Sequence, residues 1–158
     1  METTDREIEA IAEGDPLVFD GELCLVSSTA TSSGGKHGSG KVTIGMTVLP
    51  DGPTRKVNQP EDSRVEVPEV SSARNPIVSV SASEKQFDPA VVRIATGESV
   101  VWLWEDTEPH CLAAESAALS GERVTGVGQT FEHTFRDPGT HVVRCTVHDH
   151  CCVVVVED

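Results

Sequence analysis

Apolar residues occur in short runs of about four to eight, rich in valine and separated by Gly, Pro, Asp and Asn, the rhythm of antiparallel strands and turns. No stretch keeps a helical period. In the first half the pattern predicts strands over 17–19, 22–28, 42–49, 55–58 and 64–67, joined by Asp20-Gly21, a glycine-rich loop and Asp51-Gly52-Pro53. Five such strands suit a small barrel. A short helix or turn is expected from Thr4, with Glu7 three residues on in capping-box spacing and Ile8 and Ile11 turned inward.

The second half predicts strands over 77–81, 90–95, 99–104, 111–114, 130–135, 140–144 and 152–156. Seven strands with turns between them point to a Greek-key β-sandwich. Val100, Trp102 and Trp104 share one face of the 99–104 strand while Val101 and Leu103 share the other, so this strand is expected to be central and covered on both sides. Between the halves, the run from Pro68 to Pro76 has little apolar periodicity and a proline at each end, the mark of a linker. The expected organisation is therefore all-β, with domains at 1–69 and 77–158 and a linker at 70–76. Each domain, at about 70 to 85 residues, is large enough to fold alone, though only marginally.

Charge adds a partner constraint. The 158 residues hold 26 acidic and 12 basic side chains for a net charge of −14, divided equally on either side of Ala73. A charge so evenly spread is a solvated surface and argues against indiscriminate binding to nucleic acid or anionic membranes. Only Lys36, Lys41, Lys56 and Lys85 are lysines, a balance that suits a salt-rich cytoplasm and a halophilic source. Met1 to Gly14 lacks a basic patch followed by an apolar run, so no secretory or twin-Arg signal is expected, and no segment reaches membrane-spanning length. A cytoplasmic location follows, where thiols stay reduced; the five cysteines then read as metal ligands or buried apolar residues rather than disulfides.

The loop from Ser32 to Lys41 contains four glycines, which let a hairpin tip project with Lys36 at its end. It lacks the Walker spacing, and Lys36 is followed by His37 rather than Ser or Thr, so a phosphate loop is not indicated. Asp20-Gly21-Glu22-Leu23-Cys24 before the loop, Gly-Lys-His-Gly-Ser-Gly-Lys within it and Arg64-Val65-Glu66-Val67-Pro68 after it together resemble the N-terminal SH3-like barrel of archaeal and eukaryotic initiation factor 5A, over about residues 8 to 69. The resemblance implies that Lys36 becomes hypusine or deoxyhypusine, by transfer of an aminobutyl group from spermidine through deoxyhypusine synthase. It also implies that the lengthened cation reaches ribosomal RNA and tRNA phosphates. Gly34 stands in place of a usual proline and Gly40 in place of a usual alanine. Nothing after Pro68 resembles the oligonucleotide-binding barrel that follows in that family.

Cys145-Thr146-Val147-His148 sets a thiolate and an imidazole three residues apart, with His110 upstream. Two imidazoles and one thiolate are the donors of blue copper, completed by a weak axial ligand. Phe87-Asp88-Pro89, Ile94-Ala95-Thr96-Gly97-Glu98-Ser99-Val100, Trp102, His110, Phe135-Arg136-Asp137-Pro138-Gly139-Thr140 and Cys145-Thr146-Val147-His148 fall in the order and spacing of plastocyanin, halocyanin and amicyanin-like cupredoxins. The resemblance implies a type 1-like copper site on His110, Cys145 and His148, with an axial methionine a few residues on. Both methionines, Met1 and Met46, lie in the first half. The tightest family loops put the axial residue six positions after the cysteine, which falls on Cys151, with His150 and Cys152 as alternatives. Two cysteines and two histidines also suit zinc or Cu(I). His133 and His141 share strand faces with apolar neighbours and read as satisfied histidines, and Cys24 reads as core.

Three functions are consistent with these residues: electron transfer to a redox partner protein, a Cu(I) or zinc buffer or sensor, and translation-linked RNA or ribosome binding through Lys36. No nucleophile motif or carboxylate pair stands in recognisable spacing, so enzymatic activity is not expected.

Overall fold

In the computed structural model, which describes residues 1–32, 40–82, 86–121 and 123–158, the chain divides into two units between Pro68 and Glu69. Valine-rich strands satisfy their backbone groups by pairing with one another, and among the described residues helix is confined to two single 3₁₀ turns, Ile8–Ala10 and Glu115–Ala117. The fold is all-β, as the pattern predicts. Among the described residues no helix is long and apolar enough to cross a membrane.

The first unit has a four-stranded antiparallel sheet in the order Pro16–Phe19, Glu22–Ser32, Lys41–Val48, Thr54–Pro60, and a two-stranded sheet of Thr3–Glu7 with Arg64–Pro68. The second pair corrects the expectation of a helix from Thr4. Thr3 to Glu7 runs extended opposite Pro68 to Arg64, and the Thr3 hydroxyl donates to Glu66 at 2.8 Å. Pairing with a distant strand satisfies backbone groups that a lone turn would leave to water. Ile8 and Ile11 still turn inward, joining Leu17, Cys24, Val26, Ile44 and Met46 in the core. Cys24 is fully buried, as expected, and burial pushes its thiol pKa up. Lys36 falls outside the described residues; the arms that carry its loop pair through Ser32 and Lys41.

Among the described residues the second unit is a nine-stranded arrangement, two strands more than predicted. One addition is Leu119–Ser120, beside Leu112–Ala114. The other is Val70–Ser71, which pairs in parallel with Val91–Val92, so the stretch 70–76, expected as a linker, contributes a strand to this unit. Two-residue strands carry no readable alternation. Gln86–Ala95 belongs to both layers of the sandwich: Asp88 pairs with Ser79, and the residues from Val91 onward run parallel to Val153–Glu157. Val78, Val80, Trp102 and Trp104 from one layer and Val92, Ile94, Val143 and Val154 from the other close one core. The Ser99–Trp104 strand is central, flanked by Ile77–Val80 and Thr130–Thr134. Its Val100, Trp102 and Trp104 are buried, but Val101 and Leu103 on the other face are only half-covered, so complete cover is confined to one side.

Cys152 lies fully inside this core, and the Trp102 indole N–H donates to its Sγ at 3.5 Å. Burial pushes its thiol pKa up to about 12, against the weaker pull of the Trp102 bond in the other direction. Below pH 9.0 both folded and unfolded chains keep this proton; between 9.0 and about 12 only the folded chain does, so deprotonation favours unfolding and stability falls as pH rises. Cys24 acts in the same sense, and the chain has no tyrosine to titrate alongside. The denaturant midpoint should therefore fall as pH rises above 9, less steeply in Cys152→Ala; an equal slope in both proteins would contradict this burial.

Gly40 explains its own departure from alanine. A Cβ there would stand 2.5 Å from the Ser32 carbonyl oxygen and 2.7 Å from Glu61 Oε2. The carboxylate can swing away, but the strand carbonyl cannot. Gly40→Ala should lower stability by about 1–3 kcal/mol, the usual cost of overpacking. Denaturant unfolding of the full chain checks this, and an unchanged midpoint would contradict the crowding.

Candidate metal centre

Cys145 ends the Gly139–Cys145 strand opposite Leu112, and its N–H donates to the His150 carbonyl at 2.9 Å, closing the ligand loop behind it. Thr146 N–H donates to the Cys111 carbonyl at 2.7 Å, with the Thr146 hydroxyl on the same oxygen at 3.3 Å. These backbone bonds hold the cysteine's neighbours on both sides, so the buried thiol has little freedom. His110, fully buried, is fixed by paired backbone bonds to Val124 and by Trp104, whose ring meets it edge-on at 5.6 Å.

The ligand atoms of His110, Cys145 and His148 all lie within 4.8 Å of one another. Nδ1 of His110 is 3.8 Å from the Cys145 sulfur, and Nδ1 of His148 is 3.7 Å from it. With metal–nitrogen and metal–sulfur bonds of about 2.05 and 2.3 Å, nitrogen and sulfur stand about 3.8 Å apart at 120° and about 3.6 Å apart at the tetrahedral angle. The separations thus fit three donors in or near one plane. His148 N–H also points to the Cys145 sulfur at 3.4 Å, which steadies negative charge there. His148 is half-buried, its ring 5.1 Å from that of His110 and 5.5 Å from that of His150.

The three histidine and cysteine ligands read from the sequence are therefore brought together. Cys151 is not a member of the cluster. It is buried at the start of Cys151–Glu157, in register with Arg144 rather than Cys145. His150 uses Nδ1 on the Ser81 carbonyl at 3.1 Å, and burial, then the neighbouring His148, holds its pKa below the usual histidine value. Cys152 faces Trp102 in the core.

His141 is satisfied away from the cluster, between the Ser116 hydroxyl at 2.8 Å and the Asp137 carbonyl at 2.9 Å. His133 meets the Phe135 ring edge-on at 4.8 Å, and burial lowers its pKa. Both behave as the strand pattern predicts. The Cys111 thiol donates to the Gly121 carbonyl at 3.1 Å.

Asp106 was not read as part of the site. Its Oδ1 is 2.8 Å from Nε2 of His110 and accepts from Glu108 N–H at 3.2 Å, while Oδ2 accepts from Ala82 N–H at 2.6 Å. Burial alone would raise its pKa; the Ala82 bond, then His110, then Glu108 outweigh it and hold the carboxyl below the usual range. The available signal was a carboxylate four residues before a ligand histidine.

The family model of copper binding proteins, plastocyanin/azurin family, matches residues 76–157. Among solved structures, an oxidised amicyanin mutant is similar over 51% of this chain and 80% of its own, at 23% identity and a TM-score of 0.46. A purple cupredoxin from Nitrosopumilus maritimus is similar over 52% of this chain and 99% of its own, at 19% identity and a TM-score of 0.46. Translation initiation factor 5A of Natronomonas pharaonis is 32% identical over 111 residues, 70% of this chain and 86% of that protein. The same factor of Pyrobaculum aerophilum is 40% identical over 87 residues, 55% of this chain and 63% of that protein. The chain therefore belongs to the plastocyanin/azurin family of copper binding proteins through residues 76–157, fused in one polypeptide to a first unit of the translation initiation factor 5A family.

Proposed function

We propose that the second unit is a one-electron carrier of the cupredoxin kind, holding copper on His110, Cys145 and His148 and serving a redox partner protein. The observation that carries this reading is the convergence of two imidazole Nδ1 atoms and one buried thiol sulfur at separations of 3.7 and 3.8 Å. Copper supplies reversible one-electron chemistry; the protein's part is to keep the donors in place in both valence states. A thiol clamped by its own N–H, by Thr146 and by the His148 N–H suits that task.

Cys151 is proposed as the fourth donor. It stands six positions after Cys145, the place of the axial residue in the tightest ligand loops of the cupredoxins that this half resembles. A second thiolate lowers the potential of bound copper and also suits zinc or Cu(I), so a buffer or sensor in the cytoplasm is the alternative use of the same site. Adding Cu(II) to the metal-free full chain should give intense visible thiolate-to-copper absorption that bleaches reversibly on reduction and is absent in Cys145→Ser. Cu(II) bound without that band would rule out the carrier reading. Cys151→Ala should weaken zinc and Cu(I) binding; unchanged affinity would remove Cys151 from the site.

A second reading concerns the first unit and rests on its likeness to initiation factor 5A. Lys36, carried on the hairpin whose arms pair through Ser32 and Lys41, is proposed to receive an aminobutyl group from deoxyhypusine synthase and to contact ribosomal RNA. The acidic, lysine-poor composition is that of a protein for a salt-rich cytoplasm. Intact mass of the protein from its native host should include one aminobutyl addition, lost in Lys36→Arg; an unmodified mass would exclude it.

A further inference from the structure

Asp106 joins two loops at the metal end of the sandwich. On one side it holds His110, and on the other it holds the Ala82 N–H. The adjoining carbonyl, that of Ser81, accepts from Nδ1 of His150, two residues beyond His148. A chain of hydrogen bonds thus runs from one ligand histidine, through Asp106 and the Ser81-Ala82 segment, to the loop that carries the other. We infer that Asp106 is a positioning residue, fixing the tautomer in which His110 presents a bare Nδ1 to the metal. This rests on the reading of His110 as a ligand.

The argument is one of donors and acceptors. A neutral imidazole carries one proton, on either nitrogen, and the partner of the other nitrogen chooses between them. A carboxylate oxygen accepts, and Asp106 already takes the Ala82 N–H on Oδ2 and the Glu108 N–H on Oδ1, the oxygen that faces Nε2. Nε2, 2.8 Å from Oδ1, must therefore carry the proton. Nδ1 keeps its lone pair, facing the Cys145 sulfur at 3.8 Å. His110 is fully buried, so water cannot serve as a substitute partner. With the proton on Nδ1 instead, the metal-facing position would be blocked and binding would first require a tautomer change.

Asparagine tests this more sharply than alanine. The Asp106 carboxylate accepts three hydrogen bonds, one on Oδ2 and two on Oδ1. An amide has a single oxygen. If that oxygen keeps the short bond to Ala82, the amide N–H₂ faces His110 and donates to Nε2, driving the proton onto Nδ1. The shape is conserved and the instruction to the histidine is reversed.

The experiment has a metal-free arm and a metal arm, both on the full chain. Nitrogen-15 imidazole spectra of the metal-free protein at about pH 8, above the ordinary histidine pKa, should place the His110 proton on Nε2 in the native chain and on Nδ1 in Asp106→Asn. Competition with a chelator should show zinc binding weakened about 10–100-fold in Asp106→Asn, the usual effect of losing an outer partner, with part of it restored in Asp106→Glu. A His110 proton on Nδ1 in the native chain, or zinc affinity unchanged in Asp106→Asn, overturns the positioning role. If that variant does not fold, the native chain decides alone, because a proton found on Nδ1 there overturns the proposal and one on Nε2 upholds it. The metal-free arm contains no copper, so its failure leaves the copper reading standing, and failure of the copper reading leaves the tautomer result intact.

Discussion

The metal end of this protein depends on how Cys145 leaves its strand. Antiparallel pairing carries the chain to Cys145 opposite Leu112, and the cysteine's own N–H then turns to the His150 carbonyl instead of continuing the ladder. That bond closes the Cys-x-x-His loop, brings His148 back over the sulfur and starts the last strand at Cys151. Thr146 ties the same corner to the strand that follows His110. A thiol placed this way has one position, and two imidazoles reach it with nitrogen–sulfur separations suited to a three-donor plane. Trp102 and Trp104 fill the core beneath, and the Trp104 ring meets that of His110 edge-on.

What was legible in the sequence follows from which signals are local. Long valine-rich strands announce themselves by alternation, and the two halves of the chain and the three residues that cluster, His110, Cys145 and His148, are legible in the sequence. Thr3–Glu7 could not: its residues are polar and mostly exposed, and only the distant partner Arg64–Pro68 makes them a strand. Leu119–Ser120 and Val70–Ser71 are too short to show a period. Asp106 was missed because a loop carboxylate looks like any other surface acid until Ala82 and His110 converge on it from different segments. The cupredoxin resemblance implied Cys151 as the axial residue; the cluster that could hold a metal consists of His110, Cys145 and His148, without Cys151.

Two families meet in separate units of one chain. In the first, the surface hairpin of Glu22–Ser32 and Lys41–Val48 projects polar residues beyond a small core, with Gly40 packed so tightly at its base that even a methyl group would crowd a strand carbonyl. In the second, nearly every group near the cluster is held by a named partner: His150 by Ser81, Cys152 by Trp102, Cys111 by Gly121.

X-ray absorption at the copper edge of the copper-loaded full chain tests the central claim most directly. The account predicts a short copper–sulfur bond together with imidazole nitrogen scattering, the sulfur contribution collapsing in Cys145→Ser. Copper surrounded only by nitrogen and oxygen in the native chain would contradict it.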